Sequence, residues 1–81
     1  MNYFIDIDDT IFELIVKTDY YTAVGIPEAI AKVNALYDEG HRIVLWTGRG
    51  STTGRDWRDL TEDQLNHYGV KYHELRLDKP A

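Results

Sequence analysis

Three short apolar segments, separated by two stretches with helical signals, most constrain the fold of this chain. The segments span residues 3–7, 41–47 and 70–75, and they are rich in β-branched, leucine and aromatic side chains. The second is apolar on both faces, as in the buried strands of parallel sheets. Strands that alternate with helices predict a right-handed parallel sheet with helices packed on its faces. We therefore expect residues 1–81 to form a single α/β domain.

Sequence signals bound both predicted helices. Pro27 fits the first turn of a helix, and Gly40 fits the position just after its end. Between them, apolar residues recur at three- and four-residue spacing, which is typical of a helix with one buried face. The second helix is predicted to begin with a capping box at residues 61–64, with Thr61 as its N-cap, and to end at Gly69.

Residues 11–26, between the first strand and the first helix, follow neither periodicity clearly. Residues 11–16 are apolar enough for a strand or for one arm of a hairpin. Asp19, Tyr20 and Tyr21 then provide a turn and the start of a return. We expect a small, irregular excursion from the core in this region.

The composition argues against several classes of partner. The chain carries 14 Asp and Glu residues against 9 Lys and Arg residues, a formal net charge of −5 at pH 7. This charge argues against nucleic acid or an anionic membrane as the main partner. Cysteine is absent, which excludes disulfides and thiolate chemistry, and no apolar run approaches the length of a membrane span. Together with an acidic N-terminal segment unlike a signal peptide, these features predict a cytoplasmic protein.

The acidic residues are concentrated near the N-terminus. Asp6, Asp8, Asp9 and Glu13 lie within residues 1–16, which contain no Lys or Arg. Two carboxylates about 4 Å apart repel by roughly 4 kcal/mol at an effective dielectric constant of about 20. Such a cluster therefore indicates a cation nearby.

Polar residues follow the end of each predicted strand. Asp6 and Asp8 lie at the end of the first strand, residues 47–50 (Thr-Gly-Arg-Gly) follow the second, and Lys79 follows the third. In open parallel sheets the carboxyl ends of the strands lie along one edge, and ligands bind there. The sequence therefore predicts one site that is formed by three separate strand ends.

The residue types at these strand ends fit phosphoryl transfer. Two carboxylates can divide the work of a nucleophile or metal ligand and that of a general acid and base. The hydroxyl of Thr47 and the ammonium group of Lys79 suit phosphate oxygens, and a hard cation on the carboxylates would neutralise charge. Arg49 is either a further phosphate ligand or a solvated loop arginine.

Residues 4–10 (Phe-Ile-Asp-Ile-Asp-Asp-Thr) resemble the first motif of the haloacid dehalogenase (HAD) superfamily, an apolar strand that runs into Asp-x-Asp-x-Thr. Residues 43–47 resemble its second motif, an apolar strand that ends in threonine, and Lys79 resembles the lysine of its third motif. The order and spacing of the motifs carry the resemblance, which is greatest to small phosphatase-like members without a large cap domain. It implies a three-layer, Rossmann-like α/β core with a parallel sheet.

The resemblance also implies a role for each matched residue. Asp6 would attack phosphorus and become an aspartyl-phosphate, while Asp8 would protonate the leaving oxygen and then activate the hydrolytic water. Thr47 would hydrogen-bond the phosphoryl group, and Lys79 would neutralise its charge. Mg²⁺ would be bound by the Asp6 side chain and the Asp8 main-chain carbonyl, and the substrate would be a small phosphomonoester.

The segment that follows the second strand holds the candidate substrate-binding residues Thr47, Gly48 and Arg49. By the same resemblance, residues 11–26 would form a small flap that closes over the site. The glycines of residues 48–54 also resemble a dinucleotide-binding loop. That alternative lacks the acid that should end a strand about 20 residues later.

The chain ends at Ala81, before the acidic fourth motif of the family, so the expected core is truncated after the third strand. In the family the next strand pairs beside the first, so residues 3–7 would here be an apolar sheet edge, which proteins normally cover. A homodimer through this edge would cover it. The alternative to catalysis is a non-catalytic phosphate- or metal-binding module, or a fragment that needs a partner chain.

Overall fold

The computed structural model describes residues 1–50 and 56–79, and five strands, two α-helices and one short 3₁₀ helix lie within them. The strands are β1 (Asn2–Asp6), β2 (Phe12–Leu14), β3 (Ala23–Gly25), β4 (Arg42–Trp46) and β5 (Glu74–Arg76). The helices are α1 (Pro27–Asp38) and α2 (Arg58–His67), and the 3₁₀ helix spans Tyr20–Thr22.

Strands β1, β4 and β5 form a parallel sheet in the order β1–β4–β5. Tyr3 lies opposite Ile43 and Asp6 lies opposite Trp46, so the first two strands end at the same level. Trp46 also lies opposite Arg76, the last residue of β5. The prediction of three parallel strands with a common carboxyl edge is therefore confirmed.

Both helices pack on one face of this sheet. Apolar side chains from both helices and from the sheet form a common core: Ile30, Val33, Leu65, Ile43, Leu45 and Leu75. Because side chains alternate between the two faces of a strand, Val44 and Trp46 belong to the opposite face. No helix packs on that face within the described parts of the chain.

The described residues thus form two layers, where we predicted three. The reason lies in the strand order. Each right-handed crossover moves one strand further in the same direction, from β1 to β4 and from β4 to β5, so both helices fall on the same side. A helix on the other face would require a strand on the far side of β1, because the crossover would then run in the opposite direction.

Strands β2 and β3 pair antiparallel as a hairpin, in agreement with the hairpin arm predicted within residues 11–26. Phe12 of this hairpin is fully buried, and its ring centroid lies 5.5 Å from that of Tyr68. A Cβ atom on Gly25 would lie 2.6 Å from Cδ1 of Tyr68, so only glycine allows this approach. The hairpin is therefore docked on the core rather than extended into solvent.

The helix boundaries agree with the sequence signals at α1 and at the end of α2, where Gly69 follows the C-cap with a φ angle of 67°, but not at the start of α2. Helix α1 begins at Pro27 as predicted. Helix α2 begins at Arg58, with Trp57 at the N-cap position, so Thr61 is not the N-cap. Thr61 is instead fully buried, and its hydroxyl donates to the Trp57 carbonyl one turn earlier, at 2.7 Å. Neither helix is long and apolar enough to span a membrane, as far as the described residues go.

Strand β5 is shorter than predicted, since it begins at Glu74 rather than at Val70. The Val70 N–H donates to the Leu65 carbonyl at 3.0 Å, so this residue closes the turn that follows α2 and does not begin a strand. Its side chain is buried in the core, which explains the apolar signal that we assigned to a strand.

Candidate functional site

A tight turn follows β1 and holds the first two candidate carboxylates at the carboxyl end of the sheet. Ile7 is buried, and its carbonyl accepts hydrogen bonds from the N–H groups three, four and five residues later, at 3.2, 3.0 and 3.1 Å. Asp9 has a φ angle of 64°, in the left-handed region that aspartate tolerates better than most residues. Asp6 and Asp8 thus stand on either side of an anchored residue.

The Asp6 carboxylate is paired with Lys79. Nζ of Lys79 lies 2.8 Å from Oδ2 of Asp6, and the Ile7 N–H donates to Oδ1 at 3.0 Å. The Asp6 and Lys79 side chains are 41% and 37% exposed, so water screens the pair, which contributes about 1 kcal/mol or less to stability. The carboxylate is therefore held in orientation and remains accessible from the sheet edge.

Backbone hydrogen bonds place Lys79 beside the end of β4. Its N–H donates to the Thr47 carbonyl at 3.3 Å, and the Thr47 N–H donates to the Arg76 carbonyl at 2.9 Å. A Cβ atom on Gly48 would lie 3.4 Å from the Lys79 carbonyl oxygen, so this glycine lines the same junction. The structure thus brings the three predicted strand ends together.

Thr47 directly follows β4 and is buried at this junction. Its hydroxyl oxygen accepts a hydrogen bond from the Arg49 N–H at 3.2 Å. A hydroxyl can accept and donate at the same time, so this contact leaves the Thr47 proton to be donated. The local turn therefore sets the direction of the hydroxyl at the strand end.

Arg49 is the largest fully buried side chain of the described residues, which rules out a solvated loop arginine. Its Nε and Nη2 atoms donate to Oδ2 and Oδ1 of Asp8, at 3.0 and 2.7 Å. Nη1 donates to Oγ1 of Thr61 at 3.0 Å and to Oε1 of Gln64 at 2.6 Å. Asp8 is 21% exposed in this bidentate pair. Protein groups thus surround the guanidinium of Arg49, which we predicted from the sequence to be a substrate-binding residue.

Sequence reasoning missed Thr61 and Gln64 as parts of this site. The two residues are three positions apart in α2 and therefore share one face of the helix, which is the signal that could have revealed them. The pattern that they form was assigned to a capping box instead. Gln64 also donates through Nε2 to the Tyr20 carbonyl at 2.7 Å, so α2 connects the arginine to the segment between β2 and β3.

An aromatic group lies beside the buried arginine. Cζ of Arg49 lies 4.8 Å from the centre of the Tyr20 ring. The rings of Tyr20 and Tyr21 meet Trp57 edge to face, with centroids 5.0 and 5.7 Å away. Tyr20 lies in the region predicted to be a flap, and these contacts place that region against the start of α2.

A third carboxylate, Asp78, orients the segment that carries Lys79. Its Oδ1 accepts from Nε1 of Trp46 and its Oδ2 accepts from Nη2 of Arg76, both at 2.8 Å. The hydrogen bond from Arg76 is the main cause that lowers the pKa of Asp78, and the same contact raises the pKa of Arg76. Asp78 therefore remains ionised, and remains an acceptor, at lower pH than an ordinary aspartate.

The oxygen donors of the site fit a hydrated Mg²⁺ ion. This cation commonly retains several waters and is held by one or two carboxylates together with a substrate phosphate. Arg49 engages both carboxylate oxygens of Asp8, whereas the two donors that the HAD resemblance implies for Mg²⁺ are the Asp6 carboxylate and the Asp8 main-chain carbonyl, so the arginine occupies neither of them. No group of three or more His, Asp or Glu side chains is placed to hold a metal within the described ranges.

The glycine-containing loop of residues 48–54 is described only as far as Gly50. Residues 51–54, which the dinucleotide alternative needs, lie outside the described residues. Gly50 has a φ angle of 89°, a conformation that glycine adopts without strain. Helix α2 begins at Arg58, and Asp56 and Trp57 before it are not helical, so neither of the described glycines, Gly48 and Gly50, opens this helix as that fingerprint requires.

No protein-family model matches the sequence, and no curated protein matches it. The fold is similar to the crystal structure of an MCSG target from Vibrio cholerae, with a TM-score of 0.82 at 20% sequence identity. The match covers 99% of this chain and 71% of that chain. At this identity the similarity shows a shared fold, and the chemistry of the site rests on its own residues.

Proposed function

We propose that this chain is a cytoplasmic, magnesium-dependent phosphatase of the HAD superfamily that hydrolyses a small phosphomonoester through an aspartyl-phosphate on Asp6. One observation carries the proposal. Two carboxylates at the carboxyl edge of the sheet each have their own cation: Asp6 pairs with the half-exposed Lys79, and Asp8 pairs with the buried Arg49. One carboxylate is therefore open to a substrate, and its neighbour is held in place beside it.

In the first step, a carboxylate oxygen of Asp6 attacks phosphorus. The bond between phosphorus and the leaving oxygen breaks, its electron pair stays on that oxygen, and Asp8 supplies the proton. Lys79, which lies 2.8 Å from Asp6, offsets the negative charge of the phosphoryl group as it approaches the carboxylate. The Thr47 hydroxyl donates a hydrogen bond to a phosphoryl oxygen.

In the second step, water attacks the phosphorus of the aspartyl-phosphate. Asp8 accepts a proton from the water, and the bond between phosphorus and the Asp6 oxygen breaks. Inorganic phosphate is released, and the Asp6 carboxylate is regenerated. When bound, Mg²⁺ supplies charge neutralisation and orients the phosphoryl group against Asp6. The substrate in this proposal is a small phosphomonoester, as the resemblance of the strand-end motifs implies.

The test is hydrolysis of p-nitrophenyl phosphate by the wild-type chain and by Asp6→Asn, with and without Mg²⁺. The amide of asparagine is nearly isosteric with the carboxylate but is a poor nucleophile, so we expect turnover to fall by about a thousandfold or more. The matched control is Asp9→Asn. Asp9 belongs to the same turn, but its side chain is 71% exposed and pairs with Lys17 on the surface.

Magnesium-dependent turnover that is lost in Asp6→Asn and kept in Asp9→Asn would support the proposal. Turnover in Asp6→Asn close to that of the wild type would exclude Asp6 as the nucleophile. Folded wild-type protein without turnover would favour the alternative, a non-catalytic phosphate- or metal-binding module. In that alternative the ion pairs of Asp6 and Asp8 would serve only to hold the three strand ends together.

A further inference from the structure

We propose that Arg49 is a positioning residue for Asp8 and that, through Gln64, it connects the segment around Tyr20 to that carboxylate. This inference rests on the proposed function, because Asp8 acts there as the acid and the base. It replaces the phosphate contact that the sequence suggested for Arg49 with a role that the buried guanidinium can perform.

The bidentate contact fixes the plane of the Asp8 carboxylate. Two side-by-side N–H donors, at 3.0 and 2.7 Å, leave the carboxylate no free rotation about its own axis. A carboxylate offers about four lone-pair positions, of which Arg49 uses two. The remaining positions can accept or release a proton, and their direction is set by the arginine.

The guanidinium is itself held in place. Nη1 donates to Thr61 and to Gln64, so four of its five N–H groups have acceptors, and its side chain has no exposed surface. A lysine at this position would keep the charge but would lose the planar fork that meets both carboxylate oxygens. The contact with Asp8 therefore depends on the planar geometry of the guanidinium as well as on its charge.

Gln64 extends this contact to the segment between β2 and β3. Its Oε1 accepts from Arg49 and its Nε2 donates to the Tyr20 carbonyl at 2.7 Å, while the Tyr20 ring lies over the guanidinium. A movement of Tyr20 therefore acts on Arg49 through two contacts. The position of this segment and the orientation of Asp8 are coupled through one buried side chain.

The chemistry of the leaving group separates a positioning role from a structural one. p-Nitrophenolate leaves phosphorus without needing a proton, whereas an alkoxide leaves only when an acid protonates it. The ratio kcat/KM covers the steps up to cleavage of the ester bond, so it reports this protonation directly. A misplaced Asp8 therefore lowers kcat/KM most for alkyl substrates, whereas a loss of folded enzyme lowers the apparent kcat/KM equally for all substrates.

The experiment measures kcat/KM for glycerol 2-phosphate and for p-nitrophenyl phosphate with the wild type, Arg49→Lys and Asp8→Asn. We expect Arg49→Lys to lower the value for the alkyl ester about 100-fold and the value for the aryl ester only about threefold. Asp8→Asn alone should lower kcat/KM more for the alkyl ester than for the aryl ester. In the double variant, Arg49→Lys should add little to this difference, because both substitutions act through the Asp8 carboxylate. Arg42→Lys, in an exposed pair with Glu74, is the matched control and should leave both values unchanged.

Equal losses with both substrates in Arg49→Lys would overturn the positioning role and leave the phosphatase proposal intact. Absence of turnover in the wild type would overturn the phosphatase proposal, and this inference with it. If circular dichroism shows that Arg49→Lys does not fold, Gln64→Met serves in its place, since it removes one acceptor of Nη1 and the link to Tyr20. A loss of kcat/KM about threefold greater for the alkyl ester than for the aryl ester would then support the positioning role. An unchanged ratio of the two kcat/KM values would overturn it.

Discussion

At the scale of single residues, Asp78 ties the end of β5 to the end of β4. It accepts hydrogen bonds from Trp46 and Arg76, and the next residue is Lys79, which pairs with Asp6. The pKa of Asp78 is lowered in the folded protein, chiefly by the hydrogen bond from Arg76. Its contribution to stability is therefore complete above the pKa of an unfolded aspartate and is lost as the pH falls through the lowered folded value.

We predict that Arg76→Gln moves the titration midpoint of Asp78 upward, towards the ordinary aspartate value of about 3.9. The variant removes the charged donor that favours the carboxylate, while the indole N–H of Trp46 still donates to it. The shift can be measured by NMR of the Asp78 carboxyl carbon across the acid range. Arg42→Gln, which breaks the exposed pair with Glu74, is the control and should leave the midpoint in place. An unchanged midpoint in Arg76→Gln would show that Arg76 is not the cause.

Residues that follow strands were predictable, and the partners of Arg49 were not. The pattern of apolar segments placed Asp6, Thr47 and Lys79 at one edge because parallel strands end together. The surroundings of Arg49 depend on contacts with residues 41 positions earlier and 12 and 15 positions later. No local sequence pattern reveals such long-range contacts. An arginine between two glycines in a loop was therefore equally compatible with a buried and with a solvent-exposed side chain.

At the scale of elements, the hairpin of β2 and β3 is held by a close approach to the end of α2. Gly25 lies against Tyr68, whose ring also contacts the buried Phe12. A Cβ atom at position 25 would lie 2.6 Å from Cδ1 of Tyr68 and 2.9 Å from Cδ1 of Ile30. Since the Tyr68 ring is packed on Phe12, β3 must move to admit a methyl group.

We therefore predict that Gly25→Ala destabilises the protein by about 1–3 kcal/mol, the usual cost of adding a methyl group to a packed contact. The free energy of unfolding in urea, followed by far-UV circular dichroism, measures the effect. Val24→Ala, at the exposed neighbouring position of the same strand, should have little effect. A stability equal to that of the wild type would mean that the hairpin tolerates displacement from α2.

Element identities followed from the sequence more closely than element boundaries did. Pro27 gave the start of α1 correctly, because proline at that position supports a helix start on its own. The Thr-x-x-Gln pattern at residues 61–64 misplaced the start of α2, since Thr61 bonds back to Trp57 within the helix. The buried side chain of Val70 was mistaken for a strand residue because burial alone does not distinguish a strand from the end of a helix.

At the scale of the whole molecule, one sheet face and the β1 edge remain without a covering element among the described residues. β1 is the outer strand of the order β1–β4–β5. Phe4 of β1 is 56% exposed, and its ring packs edge to face on Trp46, with the centroids 6.1 Å apart. An exposed edge strand next to exposed aromatic surface favours association with another chain.

We predict that the protein associates in a concentration-dependent manner and that Phe4→Lys weakens this association at least about tenfold, since charged side chains, lysine especially, protect edge strands from pairing. Sedimentation equilibrium over a range of concentrations measures the dimer constant. Val24→Lys, at an exposed apolar position on the hairpin, controls for the added charge and should retain association. A wild type that stays monomeric at every concentration would contradict the predicted dimer, and so would a Phe4→Lys variant that dimerises equally well.

The separation of the site residues along the chain has a consequence for the order in which the site is made. Asp6 pairs with a lysine 73 residues later, and Asp8 with an arginine 41 residues later. On a ribosome, which adds about 5–20 residues per second, both carboxylates are therefore synthesised seconds before either of their cations. The nascent chain carries the charges of Asp6 and Asp8 without these partners until the segments that follow β4 and β5 have emerged, so the two ion pairs at the carboxyl edge of the sheet form late relative to β1 itself.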